Sequence, residues 1–143
     1  MWPKKIVVDT NVLLSGLRSK RGTSHKLLTL IGVSGKFQTN LSVPLVLEYE
    51  DVAKRFMTEH GLSGEDIDAI IDYICSVSLH HRIHYLWRPF LRDPKDDMVL
   101  ELAVVSECDF IVTFNEKDFA TVEKAFGIKT VRPLTFLREI EEL

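Results

Sequence analysis

Ile6-Val7-Val8-Asp9-Thr10-Asn11 is the stretch that decides how this chain reads. An apolar run with the look of a buried strand flows straight into a carboxylate. The arrangement returns at Phe110-Ile111-Val112-Thr113-Phe114, followed by Asn115 and, three residues on, by Asp118-Phe119. In a parallel sheet, ligands sit at the carboxyl ends of the strands, so acids placed there by two strands converge on one spot. Carboxylates held that close repel one another unless they share protons or a cation. An oxygen-only donor set suits Mg²⁺ or Mn²⁺, so the first expectation is a metal-dependent enzyme.

Two helix starts supply further acids. Ser42-Val43-Pro44 reads as an N-cap followed by a first-turn proline, opening a helix expected to bury Leu45, Tyr49, Val52 and Phe56. Glu48 borders that apolar stripe in the first turns, where the positive helix end favours an anion, whereas Glu50 and Asp51 point away. Asp93-Pro94-Lys95-Asp96-Asp97 repeats the pattern of cap, proline and acids, and its helix runs on through Val105. The order is therefore strand-acid, helix-acid, helix-acid, strand-acid.

Periodicity and turn residues predict the rest. Expected strands are Lys5–Val8, Phe37–Thr39, Arg82–Leu86, Asp109–Phe114 and Ile128–Val131. Expected helices are 11–17, 24–31, 44–58, one capped by Ser63 with a core face of Ile67, Ile70, Ile71, Ile74 and Val77, one following Asp93, 121–126 and 133–140. Gly16 and residues 18–22 read as loop, as does 87–92. Strands alternating with helices indicate an α/β fold with a parallel sheet of about five strands and right-handed crossovers.

The chain has 143 residues, 45% apolar and 27% charged, which is the size and composition of one globular domain spanning residues 1–143. No run approaches the roughly 20 apolar residues of a membrane span, and Asp9 and Asn11 interrupt the only stretch that hints at a signal peptide. Cys75 and Cys108 lack C-x-x-C spacing and read as reduced core thiols, so the expected compartment is cytoplasmic.

The net charge of −3 argues mildly against a nucleic-acid ligand, but its distribution reverses that impression. No acid lies between Asp9 and Glu48, while Arg18, Lys20, Arg21, Lys26 and Lys36 do. A second acid-free stretch, Tyr73 to Arg92, holds Arg82, Arg88, Arg92 and three histidines. Those histidines (His80, His81 and His84) read as a solvated turn and strand edge, since no cysteine or acid adjoins them to complete a zinc site. Tyr85, Trp87 and Phe90 could stack bases, although packing is the simpler use for at least two of them.

The order of acids resembles the PIN-domain family of small ribonucleases over nearly the whole chain. Val8-Asp9-Thr10-Asn11-Val12-Leu13 is similar to the family's opening motif, and Glu48 follows the second strand. Asp97 stands sixteen residues before Thr113, as the family's third acid stands before the Thr or Ser closing the next strand. Val112-Thr113-Phe114-Asn115-Glu116-Lys117-Asp118-Phe119 agrees with the family's Val-Thr-x-Asn-x-x-Asp-Phe.

The resemblance implies a three-layer sandwich around the parallel sheet, with Asp9, Glu48, Asp97 and Asp118 holding Mg²⁺ or Mn²⁺ for hydrolysis of RNA phosphodiesters. Asp96 is open as an alternative to Asp97, and Asn115 to Asp118. Asn11 and Thr113 could hold a metal-associated water, and Glu101 reads as a surface or supporting residue. Arg18, Lys20 and Arg21 would grip the RNA backbone. Many relatives are toxins held by a small antitoxin protein, and a homodimer is expected. The rivals are a stand-alone RNA-processing nuclease, a non-catalytic binding module and a receiver-like phosphoacceptor. The last would want an acidic pair after the first strand and an Asp at the third strand end, and this chain has neither.

Overall fold

The computed structural model describes residues 2–143. Five strands, β1 (Lys4–Val8), β2 (Phe37–Leu41), β3 (Leu79–His80), β4 (Phe110–Val112) and β5 (Lys129–Val131), form a parallel sheet in the order β3-β2-β1-β4-β5. Seven helices connect and cover them: α1 (Thr10–Arg18), α2 (Thr23–Leu30), α3 (Val43–Met57), α4 (Gly64–Val77), α5 (Pro94–Val105), α6 (Val122–Phe126) and α7 (Pro133–Glu139). The α/β fold with a parallel sheet of five strands is thus as the sequence led one to expect.

Alternation along the strands builds the layers, because successive side chains leave a strand on opposite faces. Val7 and Ile111 pack with Leu45 of α3, Ile67 of α4 and Val99 and Leu100 of α5. Their neighbours Ile6, Val8, Phe110 and Val112 pack on the other face with Val12 of α1, Leu27 of α2 and Phe136 and Leu137 of α7. From β1 the chain passes to β2 on one side, while β4 returns on the other. The switch point of the sheet therefore lies between the carboxyl ends of β1 and β4, where a crevice opens.

Local chemistry fixes the helix starts. The Ser42 hydroxyl accepts from the Leu45 amide at 3.4 Å with Pro44 in the first turn. Ser63 and Asp66 form a reciprocal capping box at 3.0 and 2.9 Å, which satisfies two otherwise orphaned amides. The buried stripe of α3 runs Leu45, Tyr49, Ala53, Met57 at four-residue spacing. Phe56, expected inside, is 49% exposed, with the Arg55 guanidinium 5.9 Å from its ring centre. Val52 is half-buried.

Two other expectations are corrected. Gly16 belongs to α1, not to a loop: a Cβ there would lie 2.4 Å from Leu28 Cδ1 and 3.0 Å from the Ser24 carbonyl, so the residue permits close packing of α1 on α2. The third strand is Leu79–His80, and residues 82–86 are not a strand. The ladder's partner decides this. β3 pairs with Asn40 and Leu41, and the His81 amide donates to the Leu41 carbonyl at 2.8 Å. Beyond Leu41 the partner chain turns into α3, so Arg82 onward has no edge to extend.

Among the described residues no helix is long and apolar enough to cross a membrane.

Candidate active site

Asp9 closes β1 and caps α1. Its Oδ1 accepts from the Thr10 amide at 2.8 Å and its Oδ2 from the Thr113 hydroxyl at 2.8 Å. The end of β1 is anchored further by the Tyr49 hydroxyl, which donates to the Val8 carbonyl. Burial, with the charges of Glu48 and Asp118 adding to it, raises the Asp9 carboxyl above its ordinary range even though Thr113 and Thr10 favour the ionised form. Glu48 is brought alongside by α3, and its Oε2 accepts from the Thr10 hydroxyl at 2.8 Å. Thr10 therefore bridges the first two acids, its amide on one and its hydroxyl on the other.

The acids of α5 divide. Asp93 caps the helix through the Lys95 amide at 2.9 Å. Asp96 turns toward the cluster: burial first, then the charges of Asp9, Asp93, Asp118 and Glu48, push its carboxyl up to about 7. Asp97 turns elsewhere. It is 1% exposed, and its Oδ1 accepts from the amides of Leu91 at 2.8 Å and Phe90 at 3.3 Å. Adjacent helical residues point about 100° apart, so only one of the pair can face the other acids.

Asp118 lies on an exposed single-turn 3-10 segment, Glu116–Phe119, whose buried Phe119 anchors it. Its charge reaches both Asp9 and Asp96. Asn115 is exposed and donates its amide to the Thr113 hydroxyl at 3.0 Å. Asn11 joins the same network, its Nδ2 donating to the Thr113 hydroxyl and its Oδ1 accepting from the Phe114 amide, each at 3.4 Å. Thr113 is thus the hub that ties α1 to the end of β4.

None of the ion pairs formed by the described residues involves Asp9, Glu48, Asp96 or Asp118. Their charges act on one another, yet no three such groups are already gathered tightly enough to enclose an ion. Uncompensated like charges keep such a cluster open. In chemistry the donor set fits a hard divalent cation, being carboxylate oxygen throughout.

Glu101 was expected at the surface or in a supporting role; it is 3% exposed and fully engaged. Its Oε2 accepts from the Trp87 amide at 2.8 Å and Arg88 Nε at 3.0 Å, and its Oε1 from Arg88 Nη2 at 2.7 Å. Sequence reading missed the partnership with Arg88, because an ion pair between a helix and an irregular segment leaves no periodic trace. Arg18, Lys20 and Arg21 are exposed at and beyond the far end of α1. That helix starts at the site, and its nine residues carry Arg18 about 13 Å from Asp9.

The PIN-domain family model matches residues 5–117. The chain belongs to the PIN-domain family, whose members are generally nucleases and typically depend on divalent metal. Among solved structures, the fold is similar to VapBC2 from Rickettsia felis, crystallised bound to a DNA fragment from their promoter. The TM-score is 0.59 at 12% identity, covering 89% of this chain and 98% of that one. A search of curated proteins finds no match.

Proposed function

We propose that this PIN domain is an endoribonuclease dependent on Mg²⁺ or Mn²⁺, with Asp9, Glu48, Asp96 and Asp118 as the residues that hold the cation. The observation that carries the reading is the set of four carboxylates at the switch point of the sheet, three of which raise the carboxyl of the fourth, with no cationic side chain among the described residues paired to them. Asp96 takes the role the sequence assigned to Asp97, whose carboxylate is committed to two backbone amides.

When bound, the cation supplies acidification of a water and neutralisation of charge at the scissile phosphate. The chain's own residues prepare for this. Thr113 and the Thr10 amide fix the Asp9 carboxylate, and the Thr10 hydroxyl fixes that of Glu48. Asp96 keeps a proton on its carboxyl up to about pH 7 in the metal-free protein and must release it to act as a ligand. Attack by water rather than by a ribose hydroxyl leaves 5′-phosphate and 3′-hydroxyl ends.

The reading extends to a toxin held by a small antitoxin protein in the cytoplasm, supported by the family and by the likeness in fold to VapBC2. An acidic cluster without a cation of its own would attract a basic side chain from such a partner. A homodimer is part of the same proposal.

The test is cleavage of labelled RNA by purified protein across Mg²⁺, Mn²⁺ and chelator, with end-group analysis and Asp9→Asn as control. Metal-dependent cuts bearing 5′-phosphates that vanish in the variant are expected. Metal-independent cuts, or cuts by the variant, would overturn the assignment. Co-expression with the adjacent small reading frame tests the partner: a stable complex with suppressed cleavage is expected, and free, active protein would leave a stand-alone processing nuclease.

A further inference from the structure

Residues 81–92, between β3 and α5, form no helix or strand, yet α5 clamps them from below. Two buried carboxylates one helical turn apart take the amides of Trp87, Phe90 and Leu91, and Glu101 also grips the Arg88 guanidinium. The second half of the irregular segment is thus tied to α5 at Trp87, Arg88, Phe90 and Leu91. Its outward side is aromatic. Tyr85 lies 4.6 Å from Trp87, Trp87 lies 5.0 Å from Phe126 of α6, and Phe126 lies 5.3 Å from Phe90, centroid to centroid. The two ends of this ladder are open to solvent, Tyr85 at 65% and Phe90 at 39% exposure. Packing alone accounts for Trp87 and Phe126 but leaves the faces of Tyr85 and Phe90 unused.

Charge says what those faces suit. No acid occurs from Tyr73 to Arg92. Arg82 and Arg92 are exposed, and neither is in an ion pair formed by the described residues. The segment also starts and ends at the carboxyl edge of the sheet. His81 hydrogen-bonds to Leu41 at the end of β2, and Arg92 is followed by Asp93, whose charge reaches Asp96. Rings with open faces between unpaired arginines match a strand that offers unstacked bases and phosphates in alternation. A protein partner would need acids for the arginines, and a duplex keeps its base faces hidden within its own stack.

We propose that residues 81–92 are the binding platform for single-stranded RNA, with Tyr85 and Phe90 stacking on unpaired bases and Arg82 and Arg92 contacting the flanking phosphates. The inference rests on the ribonuclease reading and deepens it to an unpaired substrate. It makes the acids of α5 serve two ends: Asp96 faces the cluster, while Asp97 and Glu101 hold the platform next to it.

The experiment uses Asp9→Asn protein, so binding is read without cleavage. Short RNAs carrying 2-aminopurine are compared as a single strand, as a duplex and with the central base removed. Quenching of 2-aminopurine by the single strand is expected, with the duplex and the abasic strand bound about tenfold more weakly. Adding Tyr85→Ala should lower single-strand affinity by about tenfold and erase the abasic penalty, while Tyr85→Phe and Phe90→Leu report whether a ring, rather than mere bulk, is needed. Arg82→Ala should flatten the salt dependence.

Equal affinity for abasic and intact strands, or undiminished binding by a folded Tyr85→Ala protein, overturns the platform. If wild-type protein still cleaves RNA with Mg²⁺ in that case, the nuclease reading stands and only the platform falls. Loss of a co-expressed protein partner in Tyr85→Ala with RNA affinity unchanged would mark the surface as a protein interface and also overturn it. Wild-type protein that neither binds nor cuts RNA defeats both readings.

Discussion

The Thr113 hydroxyl donates to Asp9 Oδ2 at 2.8 Å, joining the ends of β4 and β1 across 104 positions of sequence. The same hydroxyl oxygen receives the Asn115 amide, so one side chain orients an acid on one strand and the turn leaving the other. The geometry of the cluster therefore depends on a residue that carries no charge.

Asp9→Asn should reduce cleavage by at least about 100-fold while leaving the fold intact. Asn can still accept from the Thr10 amide, the Thr113 hydroxyl then meets its Nδ2 as an acceptor instead of a donor, and the change removes a carboxylate repelled by Glu48 and Asp118. Circular dichroism melts should show a melting temperature equal to or slightly above wild type. Activity persisting in pure variant would remove Asp9 from the chemistry.

Asp96→Asn and Asp97→Asn should have opposite signatures. The first should abolish metal-dependent activity with stability at neutral pH equal to or above that of wild type. The second should leave measurable activity but cost about 1–3 kcal/mol, because two amides lose a charged acceptor in a buried position. Urea melts paired with rate measurements separate the two, and the reverse pattern would restore Asp97 as the ligand.

The pH dependence of the metal-free protein follows from Asp96. Its folded carboxyl titrates at about 7, above the ordinary value of 3.8, so between those values the native state binds more protons than the unfolded one. Its contribution to stability is therefore full below about pH 4, declines as pH rises toward 7 and is flat above. Denaturant melts should show this decline in wild type and a smaller one in Asp96→Asn. Mg²⁺ binding below pH 7 should release protons, seen as buffer-dependent heats in calorimetry that shrink in the variant.

Glu101→Ala should free the segment it grips without touching the acid cluster. The Trp87 amide and the Arg88 guanidinium both lose their acceptor. The expected cost is about 2 kcal/mol, held down because the Arg88 side chain is 41% exposed and can turn to water. Hydrogen exchange should quicken at Trp87 while that of β1 stays slow; unchanged exchange at Trp87 would contradict the clamp.

Changing Arg18, Lys20 and Arg21 together to Ala tests a second, more distant contact with substrate. If they touch phosphates, RNA affinity should fall and the logarithmic salt slope should drop by roughly 0.7 per lost contact. Turnover of saturated enzyme should change little, since α1 carries these residues about 13 Å from Asp9. Wild-type affinity and slope would reduce them to solubilising charges.

Where local chemistry decides, the sequence was readable. The strand–acid junction at Asp9, the caps at Ser42, Ser63 and Asp93 and the stop at Gly127 all depend on neighbours a few residues away. The register of α5 was not readable for a physical reason. Val99, Leu100, Glu101, Leu102 and Ala103 are all buried, so the helix has no wet side against which to phase the consecutive Asp96 and Asp97. The third strand failed differently. Residues 82–86 alternate as a strand would, but a strand needs a partner edge, and where β2 ends is a property of the whole sheet.

Gly16 carries a consequence for engineering. Any side chain there meets Leu28 and the Ser24 carbonyl at 2.4 to 3.0 Å, so α1 would have to lift off α2 by about 1 Å to regain ordinary contact. Because α1 starts at Asp9, that helix acts as a lever arm whose fulcrum is the glycine and whose tip carries the first acid of the cluster. A single methyl placed two turns away should therefore detune the aim of Asp9 and Thr10 while leaving every acid in the sequence.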